Sequence, residues 1–392
     1  NLPNDPNSSG STFANPNIKR DVNGSSYDQN TALTANYGQW SVESASTACF
    51  ASGTRIATEA GEIPVESLAV GDIVLARGLG LTPVVWLGHR TVDCRRHPRP
   101  HDVWPIRIRA GAFARGAPRR DLVLSPDHAV FVRGVLIPVR YLVNGATIVQ
   151  EPREEITYWH VELAQHDLLL AEELACESYL DTGNRAAFAN GGGAVTLHPD
   201  FAWQVWASRA CAPLVLDGPE RTAARRRLLA RAAQLGHVVT KDANVHLLAD
   251  GVPVPGCAQA GPLHRFKVGG RVKELRIMSR SGVPAELHAD GTDHRRLGVM
   301  IDRIAFFRRF RWHGLALADI PTGRGFHRLE EEGARSWRWT DGDALLPIPD
   351  ECARDGILHV ELLIGATANY WLPAPAAAGA ASGGAPEKRA RS

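Results

Sequence analysis

Cys49 is placed so that its side chain could react with the backbone of its own chain. It opens the run C-F-A-S-G-T (49–54) directly after a polar segment that ends at Ala48. Its thiol lies within five-membered-ring reach of the preceding peptide bond, so the sulfur can attack the Ala48 carbonyl and convert the amide into a thioester. An amide resists this attack unless the site strains or protonates the bond and stabilises the tetrahedral intermediate. A single cysteine is otherwise interpreted as a small buried hydrophobic residue.

A hydroxyl and an imidazole follow at a spacing of three residues. The run L-S-P-D-H-A-V-F (124–131) places Ser125 and His128 between two apolar segments. An imidazolium is readily reached near pH 7 and can protonate a departing amide nitrogen, while the hydroxyl holds the scissile peptide. A single buried histidine is also common as a structural residue, so this pair is informative only together with Cys49.

A third run, V-E-S-L-A-V-G-D-I-V-L-A (65–76), predicts a turn and a strand between the other two. In this order and spacing the three runs resemble the Hint superfamily, the self-processing β domain shared by Hedgehog C-terminal regions and inteins. The resemblance covers residues 49–184, where the closing runs H-D-L-L-L-A-E and E-S-Y-L-D-T-G-N are similar to the end of the bacterial version.

The resemblance implies roles for three residues. Cys49 would be the nucleophile of an N-to-S acyl shift, and Ser125 and His128 would activate the scissile peptide. Ser125 stands where threonine is more usual, which keeps the hydroxyl. The chemistry implied needs no cofactor, and its substrate is the chain's own residues 1–48.

The end of the resemblance departs from a splicing intein. Full splicing needs a terminal asparagine, usually after histidine, and then a Cys, Ser or Thr nucleophile. Asn184 follows Gly183, and Asn190 lies between Ala189 and a glycine, so no His-Asn pair occurs. We therefore expect processing without full splicing.

Hedgehog-type domains instead pass the thioester to an external nucleophile, a sterol hydroxyl activated by an aspartate. His89, in the run T-P-V-V-W-L-G-H-R (82–90), stands about where that aspartate would be. It is either a base or an exposed residue at a strand end. No sterol-recognition segment is evident, which leaves water, an amine or a thiol as the acceptor.

A competing constellation is Cys94-x-x-His97-x-x-x-His101, with Asp102 adjacent. This spacing is tolerable for zinc, and the segment is rich in proline and arginine, as loops are. A fourth ligand is not obvious. We expect no metal site, and a metal-dependent hydrolase is the third alternative for this chain.

Composition limits the class of protein. At 392 residues the chain exceeds one ordinary hydrophobic core, and 44% hydrophobic and 22% charged residues are typical of a globular protein. The net charge of +2 does not favour a nucleic-acid partner. No apolar run is long enough for a membrane span. The six scattered cysteines fit neither a zinc ribbon nor a disulfide scaffold.

The pattern of residues predicts a mainly β chain. Residues 1–48 form a polar, weakly ordered leader with at best short edge strands near Tyr37–Val42, and residues 49–190 carry short β-rich runs about every ten residues. These runs predict a Hint-type all-β self-processing domain. The predicted strands are Ile73–Ala76, Val84–Leu87, Val103–Arg109, Leu122–Leu124, Ala129–Val132, Ala146–Val149, Thr157–Leu163 and Asp167–Leu170.

A second β-rich, sandwich-like domain is predicted over residues 195–373, followed by a disordered tail at 374–392. Its one clear helix, at 220–235, has Leu228, Leu229, Ala232 and Leu235 on one face and arginines on the other, and Gly236 suits its end. Trp337 and Trp339 precede Asp341 and Asp343, a combination that either stacks on carbohydrate or belongs to a sheet face.

These observations predict an autocatalytic, single-turnover bacterial protein, secreted or at the cell surface. It would cleave at Ala48–Cys49 and hydrolyse the thioester or pass it to a small external nucleophile. The alternative is a non-catalytic Hint-fold module for surface attachment or carbohydrate binding.

Overall fold

The structure is a computed structural model that describes residues 18–20, 26–28, 48–191 and 199–372. The predicted strands near Tyr37–Val42 and the predicted disordered tail lie outside the described residues. The contacts divide the chain into two units that do not follow chain order. The first comprises the chain up to Pro105, Val123–Val139 and Pro152–Leu214, and the second comprises Ile106–Leu122, Arg140–Glu151 and the chain from Val215 onward. The predicted domain limits at 190 and 195 stay a prediction.

The prediction of a mainly β fold is confirmed. Strands from the start of the chain to Glu177 are β1 (Ile18–Arg20), β2 (Ser26–Asp28), β3 (Phe50–Ala51), β4 (Arg55–Thr58), β5 (Gly61–Pro64), β6 (Ile73–Ala76), β7 (Gly80–Asp93), β8 (Ile106–Ile108), β9 (Leu122–Leu124), β10 (Ala129–Val132), β11 (Val135–Pro138), β12 (Ile148–Gln150), β13 (Glu155–Leu163), β14 (Leu168–Ala171) and β15 (Leu174–Glu177).

The main sheet of the first unit is antiparallel. Its strand order is β11-β10-β15-β14-β4-β6-β7-β13-β3-β9, with β5 paired to β4. The long strand β13 pairs with both β7 and β3, and Phe50 of β3 pairs with Leu124 of β9. The start of β3 therefore lies between β13 and the residues that follow β9, which brings distant parts of the chain to Cys49.

Turn chemistry sets the start of β6. Gly71 has a φ of 98°, which favours glycine, and the Asp72 carboxylate accepts a hydrogen bond of 2.8 Å from the amide of Ala69. The V-G-D run predicted this turn, and the strand after it occupies Ile73–Ala76 as predicted.

The predicted strand Val103–Arg109 is wrong over its first half. The amides of Val103 and Trp104 both donate to the carbonyl of Pro100, at 3.0 and 2.8 Å, and so form a tight turn. Pro105 has no amide hydrogen to donate to a neighbouring strand. Only Ile106–Ile108 is extended, as β8, paired with β12 in the second unit.

The second unit contains three further sheets. Their strands are β16 (Val239–Thr240), β17 (His246–Ala249), β18 (Val252–Val254), β19 (Gly256–Ala260), β20 (Leu263–Val268), β21 (Leu275–Met278), β22 (Val299–Arg308), β23 (Arg311–Leu315), β24 (Phe326–Glu332), β25 (Arg335–Thr340), β26 (Asp343–Leu345), β27 (Leu358–Thr367) and β28 (Tyr370–Trp371). The strand orders are β18-β17-β21-β26, β19-β20-β27-β22-β25-β24 with β23 on β22, and β16-β28. Apolar side chains from the two larger sheets form one core, which includes Ile277, Phe306 and Leu362.

Three helices are described: α1 (Pro199–Arg209), α2 (Pro219–Gln234) and α3 (Pro284–Leu287). The predicted helix corresponds to α2, whereas α1 was not predicted. Within the described part, none of the helices is both long and apolar enough to cross a membrane.

One arginine of α2 lies on the buried face, unlike the exposed arginines predicted for this helix. Arg225 is buried beside Leu228, and its guanidinium donates to five carbonyls, those of Tyr141, Val143, Ala285, His288 and Ala289. The five N–H groups of the guanidinium are all paired with backbone carbonyls, and these hydrogen bonds offset the free-energy cost of burying its charge.

Candidate functional site

Cys49 is fully buried immediately before β3 and is held through its backbone. Its amide donates to the Oγ atom of Ser125 at 2.9 Å, and the amide of Ser125 donates back to the Cys49 carbonyl at 2.9 Å. The pairing of Phe50 with Leu124 brings the two residues opposite each other. The nitrogen of the Ala48–Cys49 peptide bond is therefore fixed against a hydroxyl, as the sequence predicted for Ser125.

His128 lies in the turn between β9 and β10, three residues after Ser125. Its amide donates to the Ser125 carbonyl at 3.1 Å, and its ring is buried, 4.4 Å from the ring of Phe50 between centroids. Nε2 of His128 lies 3.2 Å from the carbonyl of Glu177 and so carries the hydrogen in the neutral ring. Nδ1 has no hydrogen-bond partner among the described residues.

Burial lowers the pKa of His128 below its ordinary value. The negative charge of Glu177 and the carbonyls of Cys49 and Glu177 act in the opposite direction and offset part of this effect. The ring is thus neutral around pH 7 but close to groups that stabilise its protonated form.

Glu177 connects the turn of His128 to a second buried histidine. One of its carboxylate oxygens accepts a hydrogen bond of 2.6 Å from the amide of Ala129, and the other lies 3.7 Å from Nε2 of His166. Nδ1 of His166 accepts a hydrogen bond from the amide of Cys211. Glu177 therefore fixes the position of the residue that follows His128.

His160 is a site residue that the sequence analysis missed. Its Nε2 atom contacts the Sγ atom of Cys49 at 2.5 Å. In the pairing of β13 with β3, Tyr158 lies opposite Ala51 and Trp159 opposite Phe50, and one further step along the strands brings His160 opposite Cys49. The only signal in the sequence was one histidine within the predicted strand Thr157–Leu163.

Aromatic rings enclose His160. Phe188 packs edge-on at 4.3 Å and Tyr179 at 5.3 Å, and Trp86 contacts both of these rings. Burial in this apolar surrounding lowers the pKa of His160 well below its ordinary value, and the positive charge of Arg90 acts in the same direction. The imidazole that faces the thiol is therefore neutral near pH 7.

Gly88 makes room for this cluster. It pairs with His160 in the ladder between β7 and β13, and a Cβ atom at this position would lie 2.1 Å from the ring of Trp86. Any side chain at residue 88 would displace the indole that packs on Tyr179 and Phe188.

His89, the predicted alternative base, lies on the other side of the strand. It pairs with Trp159, and the two rings stack with centroids 5.0 Å apart. Because successive side chains of a strand point to opposite faces, the side chains of His89 and His160 are directed away from each other. His160 is the imidazole in contact with the thiol.

The residues of the competing zinc constellation do not converge. The Cys94 thiol is buried and faces the carbonyl of Val92 at 3.7 Å, Nδ1 of His97 contacts the carbonyl of Arg99, and the ring of His101 packs on Trp104. Burial raises the pKa of the Cys94 thiol, which disfavours the thiolate that zinc binds. In the described parts of the chain no three His, Cys, Asp or Glu side chains gather as a metal site.

The two asparagines at the end of this segment are engaged in side-chain hydrogen bonds. The side-chain amide of Asn190 donates to the Leu87 carbonyl at 2.7 Å, and its oxygen accepts from the amide of His89. Asn184 accepts a hydrogen bond from the hydroxyl of Tyr179.

The aromatic and acidic run of the second unit has internal partners. Trp337 donates from its indole to Glu330 at 3.1 Å, and the guanidinium of Arg335 lies over its ring. Asp343 pairs with Arg276. The predicted carbohydrate contact stays a prediction.

The antiparallel β fold, with a hydroxyl and an imidazole in contact with Cys49, is typical of self-processing β domains. Residues 48–183 match the family model of the Hint domain, so this part of the chain is a Hint domain. The predicted membership of the Hint superfamily is confirmed. No curated protein sequence matches the chain significantly.

Several solved structures are similar to about a third of the chain, including two inteins and one bacterial intein-like domain. The gp41-1 intein is 13% identical with a TM-score of 0.24, covering 33% of this chain and 97% of that chain. A bacterial intein-like domain from Clostridium thermocellum is 14% identical with a TM-score of 0.23, with coverages of 33% and 97%. The MchDnaB-1 intein is 15% identical with a TM-score of 0.24, with coverages of 33% and 98%.

Proposed function

We propose that the Hint domain cleaves its own chain at Ala48–Cys49 by an N-to-S acyl shift, followed by hydrolysis or capture of the thioester. The observation that carries this proposal is the pair of contacts at Cys49: its amide donates to Ser125, and its thiol contacts His160. A cysteine buried only for packing has no need of an imidazole on its sulfur, which speaks against the non-catalytic alternative.

The first step moves the acyl group. Nε2 of His160 accepts the thiol proton, and the Cys49 sulfur attacks the Ala48 carbonyl to form a five-membered tetrahedral intermediate. The imidazolium form of His128 delivers a proton from Nδ1 to the Cys49 nitrogen as the C–N bond breaks. The products are a thioester between Ala48 and the Cys49 sulfur and a free Cys49 amine.

Two groups prepare the scissile bond. Ser125 accepts the hydrogen bond of the Cys49 amide and so fixes the nitrogen that must be protonated. The carbonyl of Glu177 holds Nε2 of His128, which leaves Nδ1 as the nitrogen that carries the transferred proton. Fixed groups of this kind lower the barrier because they are already oriented when the reaction begins.

The second step releases the leader. Water adds to the thioester carbonyl, the C–S bond breaks, and residues 1–48 leave with a carboxylate while Cys49 regains its thiol. A small amine or thiol gives the corresponding amide or thioester of Ala48 instead.

The end of the domain supports processing without splicing. Cyclisation of Asn190 would require its side-chain nitrogen to attack its own carbonyl, but this nitrogen donates to Leu87 instead. Residues 191–193 offer no nucleophilic side chain. We infer that the Hint domain stays joined to the rest of the chain.

An intact-mass measurement of the purified chain, with and without dithiothreitol, tests this proposal. We expect loss of the mass of residues 1–48, accelerated by the thiol, and no loss from the Cys49→Ala variant. The matched control is Cys94→Ala, which removes another buried thiol and keeps the cleavage. Release of the leader from pure Cys49→Ala protein would contradict the proposal.

A second pair of variants separates the two histidine clusters. His128→Ala should slow cleavage by roughly 10²–10⁴-fold, the usual contribution of general acid catalysis. His97→Ala should cleave normally. Loss of cleavage in His97→Ala or with a chelator, with His128→Ala active, would favour the zinc alternative.

A further inference from the structure

The hairpin formed by β22 and β23 projects apolar rings into solvent. Its two turn residues, Arg309 and Phe310, both have positive φ, at 47° and 63°. A two-residue turn of this kind usually takes asparagine and glycine. Phe310 is 95% exposed, and Trp312, two residues later, is 57% exposed. Large exposed aromatic groups at a strained position indicate an interaction surface.

The aromatic surface continues onto the outer face of the sheet. Trp312 pairs with Phe307, and their ring centroids are 5.1 Å apart. His359 of β27 lies opposite Phe307. The neighbouring residues Phe306 and Leu358 point into the core, so Phe307, Trp312 and His359 share the opposite face.

Positive charge surrounds these rings. Arg309 and Arg311 flank Phe310 and are exposed, and the pairing of β20 with β27 adds Lys267 opposite His359. Two further arginines of this face contact one carboxylate: Arg265 and Arg303 lie 3.0 and 2.8 Å from Glu361. Two cations thus flank the exposed ring at the turn, and three cations and one carboxylate lie on the face of Phe307.

The base of the hairpin is anchored. Arg308 is buried and donates to the carbonyls of Cys352 and Asp355. The strand that carries the turn is therefore held against the core, while the turn itself remains accessible. We call Phe307, Arg309, Phe310, Arg311 and Trp312 the hairpin tip.

We propose that the hairpin tip docks on an anionic lipid bilayer, with Phe310 and Trp312 entering the boundary between headgroups and acyl chains and Arg309 and Arg311 contacting lipid phosphates. Aromatic side chains favour this boundary, and basic residues near an anionic surface strengthen binding. Single-stranded nucleic acid would need free ring faces for stacking. The Phe307 ring already packs on Trp312, so Phe310 alone projects freely, and one projecting ring between two arginines suits a bilayer boundary better than a series of stacked bases.

Sedimentation of the full chain with lipid vesicles tests the proposal. We expect binding to vesicles of phosphatidylcholine mixed with phosphatidylglycerol, much weaker binding to phosphatidylcholine alone, and a loss of binding in high salt. Absence of binding to the mixed vesicles would overturn the proposal.

Three variants assign the binding to the tip. Phe310→Ser should weaken vesicle binding about tenfold, because a fully exposed ring no longer enters the bilayer. Arg309→Gln and Arg311→Gln should each weaken it roughly fivefold. The control is Val252→Ser, which removes a side chain 65% exposed on β18 of the same unit and should bind as the original chain does.

The remaining outcomes are also decisive. Equal binding of Phe310→Ser and Val252→Ser would place the lipid contact elsewhere and overturn the assignment. A single-stranded oligonucleotide that binds more tightly than vesicles, with the same losses in the tip variants, would reassign the surface to nucleic acid. Leader cleavage should be unchanged in every tip variant, so the outcome is independent of the function proposed for Cys49.

Discussion

The imidazole of His160 contacts the thiol of Cys49 across 111 positions of sequence. The two residues lie opposite each other because β13 pairs with β3. The thiol therefore has a neutral proton acceptor that belongs to none of the three sequence runs around Cys49, Val65 and Ser125.

His160→Gln should slow leader release by roughly 10²–10⁴-fold, because the side-chain amide of glutamine cannot accept the thiol proton. The rate would be followed by intact mass after addition of dithiothreitol. His89→Gln, which changes a histidine on the opposite face of the paired strand, is the control and should cleave at nearly the original rate. The reverse order of rates would make His89 the base.

Ser125→Ala should both slow cleavage and destabilise the domain. The amide of Cys49 would lose its acceptor inside the protein, and an unsatisfied buried donor costs about 1–3 kcal/mol. Ser125→Thr keeps the hydroxyl and should retain most of the activity. Urea unfolding and the cleavage rate measure the two effects, and a fully active Ser125→Ala chain would remove Ser125 from the mechanism.

Gly88→Ala should destabilise the first unit by about 1–3 kcal/mol, because the added methyl group meets the ring of Trp86. The matched control is Gly314→Ala on β23, where a Cβ atom has no neighbour within 4 Å. Urea-unfolding midpoints of the two variants would be compared. Equal midpoints would mean that the indole moves aside without cost.

The stability of the uncleaved Cys49→Ala chain should fall as the pH drops below about 6.5. The folded state holds His128 and His160 with lowered pKa values, mainly through burial, so below the ordinary histidine pKa the unfolded chain binds protons that the folded chain does not. The unfolding free energy then decreases with falling pH, by at most about 1.4 kcal/mol per pH unit for each histidine.

Urea-unfolding midpoints between neutral and mildly acidic pH measure this dependence. His128→Gln in the same background should make the dependence less steep and leave the part due to His160, whereas His359→Gln, which changes an exposed histidine, should leave it unchanged. If His128→Gln has the slope of the parent, burial of this ring is not its source.

Peptide mapping after leader release should find one fragment that begins at Cys49 and continues past Asn190. The side-chain nitrogen of Asn190 donates to the Leu87 carbonyl, and the three glycines that follow, residues 191–193, carry no nucleophilic side chain. Asn190→Ala should leave the products unchanged. A peptide joining Ala48 to a residue beyond Asn184 would establish splicing.

Most of the strands that local patterns predicted are present in the structure, because alternation and turn residues act over a few positions. Leu122–Leu124 and Ala129–Val132 occupy their predicted ranges. The pattern failed at Val103, where a turn and Pro105 interrupt an alternating run. It also failed at Arg225, because a buried arginine that donates to carbonyls of two distant segments cannot be told from an exposed arginine in the sequence.

The residues of the candidate site could be predicted where they belong to one of the short sequence runs that resemble the Hint superfamily. Cys49, Ser125 and His128 lie in such runs, and strand pairing brings them together. His160 was missed because its role depends on the register between β13 and β3, which no local pattern reveals. No feature of the fold bears on the predicted secreted or cell-surface location, which stays a prediction.

The discontinuous second unit has a consequence for synthesis on the ribosome. The indole of Trp371 donates to the carbonyl of Asn144, 227 positions earlier in the chain. At about 5–20 residues per second, the residues around Asn144 wait on the order of 10–45 seconds for this partner. The loop that ends in β12 therefore reaches its final packing only after Trp371 has been synthesised, and a nascent chain halted before Trp371 would carry this loop without that partner.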